Sequence, residues 1–273
     1  MKTLRVAPDG RGNPRLESLP LPFLTPGPTA TPEDQKLTPD PGNMSAVRHM
    51  CSAHAATGPL ETVTGSSERR LFLVVSGTIQ VIVPDMRATL GPGDVLFLDA
   101  PGSPEAPVHI RAATPCSYLE VVVEPAWLPR GTVPPLMDEG RRTAYGSPRL
   151  LRMVSDGVVA HLSSFDDLFS APPPHTQAVK ALSFVCLSPS MRSDWHTEPG
   201  TSLLIVLAGG FEVEVGGNGG RRTLRAGDVC LVEDFEGQGH RSSSDGETRF
   251  AVLALPKDHL WSQGAERTDE AAS

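Results

Sequence analysis

Four landmarks recur along this chain at an almost constant separation, and that repeat limits the possible folds more than any other feature. Leu71-Phe72-Leu73-Val74-Val75-Ser76-Gly77 runs into the alternating segment Thr78-Ile79-Gln80-Val81-Ile82-Val83. Leu203-Leu204-Ile205-Val206-Leu207-Ala208-Gly209 runs into Gly210-Phe211-Glu212-Val213-Glu214-Val215. A Thr-Leu pair follows in both (Thr89-Leu90, Thr223-Leu224), then Gly93-Asp94-Val95 or Gly227-Asp228-Val229, then His109 or His240. Gly77 and Gly209, Thr89 and Thr223, Gly93 and Gly227, and His109 and His240 lie 132, 134, 134 and 131 residues apart. Such constancy is the mark of an internal duplication. Each copy is an apolar run, a glycine corner and a period-two strand, the pattern of short antiparallel strands.

The remaining composition agrees. With 26 Gly and 27 Pro in 273 residues, turns are frequent and long helices are excluded. Aromatic residues make up only 5%, so Val, Leu and Ala must fill the cores. The formal net charge is −8, and no basic run exceeds pairs such as Arg221-Arg222, which argues against a nucleic-acid partner. No stretch approaches the roughly 18 apolar residues of a membrane span, and Met1–Gly12 has no apolar leader core. A cytoplasmic protein without membrane contact is expected. Cys51, Cys116, Cys186 and Cys230 are far apart and form no CxxC pair, so buried reduced thiols are expected.

Residues 1–45 hold Pro20, Pro22, Pro26, Pro28, Pro32, Pro39 and Pro41. They read as an extended arm, disordered in its first part, with an edge strand near Val47–Cys51. Such an arm can lie across a barrel and cover a strand edge, in a monomer or a homodimer. The organisation expected is an arm (1–45), a first barrel (46–125), a linker (126–150), a second barrel (151–260) and a tail (261–273).

The Ser-Gly or Ala-Gly corner, the alternating strand and the later Gly-Asp-Val together resemble the cupin superfamily. The resemblance covers about residues 45–125 and 152–256. It implies an all-β protein of two tandem jelly-roll-like barrels, a bicupin. The second copy is similar to small single-domain cupins that open with Trp-His-x-x-Pro, here Trp195-His196-Thr197-Glu198-Pro199. Those cupins close with Glu-Asp-x-x-Gly-x-Gly-His, here Glu233 to His240, and have an N-terminal strand matching Asp156-Gly157-Val158 and Phe165-Asp166-Asp167.

Metal-binding cupins place His-x-His and a Glu on one hairpin and a third His on a later strand. Carried onto the second barrel, the resemblance gives His196, Glu198 and Ser202 for the first three places and His240 for the last. Two imidazoles and one carboxylate suit a divalent transition metal such as Fe, Zn, Mn or Ni. The same residues equally suit a metal-free polar pocket. In the first barrel the matching places are Thr64, Ser66 and Arg70, with His109 last, so that barrel reads as structural or as a non-metal pocket. His49 and His54 are weak substitutes. Gly216-Gly217-Asn218-Gly219-Gly220 joins two strands and opens no helix, so it reads as a hairpin loop and not a phosphate cradle. No Gly-x-Ser-x-Gly elbow occurs.

The function implied is an enzyme acting on a small organic molecule inside the second barrel, of oxygenase, isomerase or cyclase type, in specialised metabolism. His196, Glu198 and His240 are its catalytic or metal-holding residues. The alternative is a non-catalytic module that binds or senses a small molecule.

Overall fold

A computed structural model describes residues 1–8, 11, 13–19, 21–24, 47–63, 68–99, 106–124, 148–155, 160–169, 176–216 and 220–261. Residues 25–46 of the arm, 126–147 of the linker, 262–273 of the tail, Thr64, Ser66 and the Asp156-Gly157-Val158 segment lie outside the described residues. Among the described residues no helix is long and apolar enough to cross a membrane.

The strands are β1 (Thr3–Pro8), β2 (Pro14–Ser18), β3 (Phe23–Leu24), β4 (Val47–Ala55), β5 (Gly58–Val63), β6 (Arg69–Ser76), β7 (Ile79–Val83), β8 (Met86–Leu90), β9 (Val95–Leu98), β10 (Val108–Ala112) and β11 (Cys116–Val123). They continue with β12 (Leu150–Ser155), β13 (Ala160–Ser164), β14 (Thr176–Ala178), β15 (Ala181–Leu187), β16 (Ser202–Ala208), β17 (Gly210–Val215), β18 (Arg221–Arg225), β19 (Val229–Glu233), β20 (His240–Ser243) and β21 (Thr248–Ala254). One 3₁₀ turn, Asp166–Phe169, is the sole helical element among the described residues.

The two-barrel, all-β architecture is present. Each barrel has one large and one small sheet. The first is ordered β14-β4-β11-β6-β9-β1-β2 with β5-β10-β7-β8, and the second β13-β12-β19-β16-β21-β15-β3 with β18-β17-β20. The large sheets meet face to face. Leu71, Leu73, Val75, Val95 and Phe97 of the first share one core with Leu203, Ile205, Leu207, Val229 and Leu231 of the second. Alternate residues point the other way. Phe72, Val74 and Leu96 line the first barrel's interior, and Val206, Cys230 and Phe250 line the second's. Strands buried on both faces need unbroken apolar runs, which explains why β6 and β16 lack the alternation of β7 and β17.

The closest approach between the barrels is at the Gly-Asp turns. Gly93 has φ +79°, and a Cβ there would lie 2.1 Å from the carbonyl oxygen of Leu207; at Gly227, φ +92°, the distance to the Val75 oxygen would be 2.6 Å. Only glycine fits at both places. The aspartates that follow do matching work. Asp228 accepts from the backbone N–H of Arg225 (2.8 Å) and of Arg149 (2.7 Å), and Asp94 accepts from those of Gly91 and Lys2.

That last bond changes the reading of the arm. The first part of residues 1–45 is not disordered: β1 and β2 form a hairpin, and β1 runs parallel to β9. β12 and β13 do the same beside β19. Arg5 pairs with Asp99 at one place and Arg152 with Glu233 (2.6 Å) at the other. The duplication therefore reaches back to Leu4-Arg5-Val6, the counterpart of Leu151-Arg152-Met153. The barrels also exchange short strands. β3 pairs with β15 of the second barrel and β14 with β4 of the first. The strand at Val47–Cys51 is present but is not an edge, because β14 covers it.

Burial alone would raise the Glu233 carboxyl, but its bonds to His259 (2.8 Å) and Arg152 outweigh that and hold it below its ordinary 4.5. A lowered carboxyl contributes stability that is present above its unfolded value and lost as pH falls through its folded one. Glu233→Gln should therefore cost roughly 2–4 kcal/mol in urea unfolding at neutral pH. The gap to wild type should close as pH drops below 4.5.

Candidate metal centre

Trp195 to Pro199 lies in the connection between β15 and β16, and backbone bonds fix it against β20. Ser193 N–H donates to Ser242 O (2.9 Å), and His196 and His240 exchange N–H···O bonds of 2.9 and 2.8 Å. Glu198 N–H donates to Asp234 O (3.3 Å). The contact is close because residue 239 is glycine: φ is +70° and a Cβ would lie 2.0 Å from His196 O. His196 and Glu198, two apart on extended chain, then face the same side.

The three candidates come together. Ligand atoms of His196, Glu198 and His240 all lie within 4.8 Å of one another, the one such group among the described residues. The imidazole centroids are 4.3 Å apart. Each ring is oriented through Nδ1. In His196 Nδ1 is 2.9 Å from the Asp194 carbonyl, which can only accept, so Nδ1 carries the proton and Nε2 keeps its lone pair. In His240 Nδ1 lies 2.7 Å from Asp234 Oδ2, with the same consequence. Asp234 is fully buried, and its other oxygen has no hydrogen-bond partner among the described residues.

Burial, and then the neighbouring His240, lowers the His196 imidazole. Burial raises the Glu198 carboxyl; Asp234 adds to the rise and His240 opposes it. No described residue gives Glu198 a hydrogen bond. Two lone pairs and an unpartnered carboxylate converging on one spot fit a divalent transition metal, for which ligand distances are about 2.0–2.2 Å. Ser202, at the place of the usual Glu, is buried on β16 and outside the group.

Asp234 is the residue of the candidate site that ligand spacing did not single out. It stands in the Glu-Asp-x-x-Gly-x-Gly-His stretch, but its bond to His240 depends on the loop between them. Cys230 lies behind the group, its thiol raised to about 12 by burial and then by Asp234 and Glu198. All four cysteines are free thiols, with Cys51 only half-buried.

The first barrel has no such group among its described residues, and one sequence assignment there is corrected. His109 is not the counterpart of His240. His240 pairs with Val215 and His109 with Ile82, so the residue facing Val83, which matches Val215, is Val108. Val108 is buried inward and His109 exposed outward. A slip of one residue moves a side chain to the other face of a strand. Arg70 is buried inside this barrel, bonded to Glu120 (2.9 Å) and Glu61 (2.7 Å). His54 is exposed and bonds Ser117, and neither His54 nor His49 belongs to a metal-capable group.

No family model matches the chain, and no curated protein matches it. Solved structures similar to it include a Cupin 2 conserved barrel domain protein from Leptotrichia buccalis, with 12% identity, 82% of this chain and 94% of that one covered, and a TM-score of 0.38. Oxalate decarboxylase from Bacillus subtilis is another, with 13% identity, 82% and 74% covered, and a TM-score of 0.29. With such low scores neither likeness bears on the site.

In chain kept metal-free with chelator, long-range ¹H–¹⁵N spectra should find His240 almost wholly in the Nδ1–H form. Asp234→Ala should bring up the Nε2–H form, which predominates in unrestrained imidazole; an unchanged His240 pattern would show that Asp234 does not orient the ring.

Proposed function

We propose that this chain is a metal-dependent enzyme acting on a small organic molecule inside its second barrel. His196 Nε2, His240 Nε2 and Glu198 hold one divalent transition metal. The observation that carries the reading is the orientation of both imidazoles through Nδ1, which leaves two lone pairs beside an unpartnered carboxylate. No described residue hydrogen-bonds the Nε2 atom of either ring.

A bound metal would supply Lewis-acid polarisation of a coordinated oxygen, or activation of water or O₂, at positions its three protein ligands leave open. The protein's own groups do the rest. Asp234 fixes the His240 ring and its tautomer, so that Nε2 faces the metal position. The Asp194 carbonyl does the same for His196. Val206, Phe211, Val213 and Phe250 make the barrel interior apolar. Oxygenase, isomerase and cyclase chemistry all fit such a site.

A metal-free reading has one observation in its favour. Burial raises Glu198, so without an ion that carboxyl keeps its proton more readily and becomes a general acid beside His196. A non-catalytic binding module would use the same pocket without turnover.

Metal content separates these readings. Full-length protein purified without chelators and supplied with Fe, Mn, Zn and Ni should carry close to one equivalent of metal per chain. His196→Ala should lose most of that metal with little loss of fold, and His109→Ala should lose none. Sub-stoichiometric metal in wild type under replete conditions would leave only the metal-free readings.

A further inference from the structure

The duplicated fold allows the two interiors to be compared position by position. In the second barrel one inward row crosses five strands of the large sheet: Leu151, Cys230, Leu204, Val252 and Ser183, each paired in register with the next. The same row in the first barrel reads Leu4, Leu96, Phe72, Glu120 and Cys51. One step along the strands, Arg70 in the first barrel stands where Ser202 stands in the second. The first barrel thus puts charge on this wall, and the second puts none on either row.

The second wall is also reached by water. Leu204 sits on a central strand, between β19 and β21, and its neighbours Leu203 and Ile205 are sealed in the core between the sheets. Its half-exposed side chain packs on the opposite side, against the inner cluster. The surface that it leaves open therefore faces the interior. Val252, flanked by β16 and β15, is half-exposed in the same way. Phe72, the counterpart of Leu204, is only 2% exposed. Cys230, second in the row, lies on β19, whose end runs directly into Asp234; Glu198 N–H donates to Asp234 O (3.3 Å), which places this end of the wall beside the metal group. Arg222, on the edge strand of the small sheet, is exposed and donates to the carbonyl of Arg221.

We infer that the second barrel takes an uncharged, largely apolar molecule that offers one or two oxygen donors at one end and carries no further carboxylate, phosphate or ammonium group. The inference rests on the metal-site reading above for the donor end; the wall chemistry stands without it. A second charge on the ligand would be buried against Leu204, Val252 and Cys230 without a partner, which is strongly unfavourable. An apolar body displaces water from the row and gains its transfer free energy.

Matched probes test this. Catechol and 3,4-dihydroxybenzoate share the two oxygen donors, and the second adds one carboxylate. Each is titrated calorimetrically into full-length protein, once metal-loaded and once metal-free. Catechol should bind at least about tenfold more tightly in the loaded form, a ratio set by burying one unpaired carboxylate. Val252→Lys, at a half-exposed wall position, should shrink or reverse that ratio, and circular dichroism checks that this variant keeps its fold. Equal or tighter binding of the benzoate by metal-loaded wild type overturns the inference and leaves the metal site standing. Failure to load metal overturns the metal-site reading alone; the catechol preference of the metal-free form then decides the wall chemistry, and absence of binding by both probes in both forms overturns it.

Discussion

The face-to-face packing of the two large sheets is the contact on which the rest of the structure depends. Each copy contributes a row of Leu, Val and Ile side chains, nearly all fully buried, to one shared core. At roughly 1.5–3 kcal/mol per buried side chain, neither sheet can leave that face to water. The second barrel therefore needs the first whether or not the first does chemistry. Packing on the shared face requires Leu71, Leu73 and Phe97 to be apolar and places no such demand on the opposite face of the same strands. Period-two alternation makes that separation possible: odd positions of β6 pack between the sheets and even ones line the barrel interior.

Further connections make the pair hard to separate. The Gly-Asp turns bring Gly93 against Leu207 and Gly227 against Val75, so each barrel's tightest turn is shaped to the other's strand end. The aspartates of the same turns hold the N-terminal hairpins, and β3 and β14 cross to the opposite barrel. The arm covers a strand edge, as its prolines suggested, but the edge belongs to the second barrel of its own chain. Phe23 meets Phe184 there at a ring distance of 5.8 Å, with Arg249 over its face.

The barrels were legible in the sequence because glycine corners and Gly-Asp turns are local signals, and a duplication prints them twice; the three converging residues were placed by the family resemblance alone. Two features were not. The β1–β2 hairpin was hidden by the prolines that follow it: Leu4-Arg5-Val6 matches Leu151-Arg152-Met153, but the spacing is 147 residues and not about 130. A repeat search anchored on a constant offset passes over a match displaced by an insertion. His109 was misassigned for the opposite reason. It lies one residue from the position it was matched to, and along a strand one residue is the whole difference between inside and outside. Asp234 was visible as a motif residue, but its partner is set by loop geometry that spacing does not encode.

The two interiors have diverged around one electrostatic requirement. Carboxylates at the inner end of such a barrel are poorly solvated, and a cation between them relieves the cost. In the first barrel that cation is covalent: the Arg70 guanidinium reaches Glu61 and Glu120 and lies 5.8 Å from the Phe72 ring. In the second, serine stands at 202 in place of the arginine, and Glu198 is half-buried beside two imidazoles with free lone pairs. A side-chain cation satisfies its acids permanently and ends chemistry at that place, because its geometry is fixed and its coordination complete. An exchangeable ion can satisfy Glu198 and still leave positions open to a substrate. Under the function proposed above, the difference between Arg70 and Ser202 is the difference between an interior whose acids are closed by a side chain and one open to an exchangeable ion.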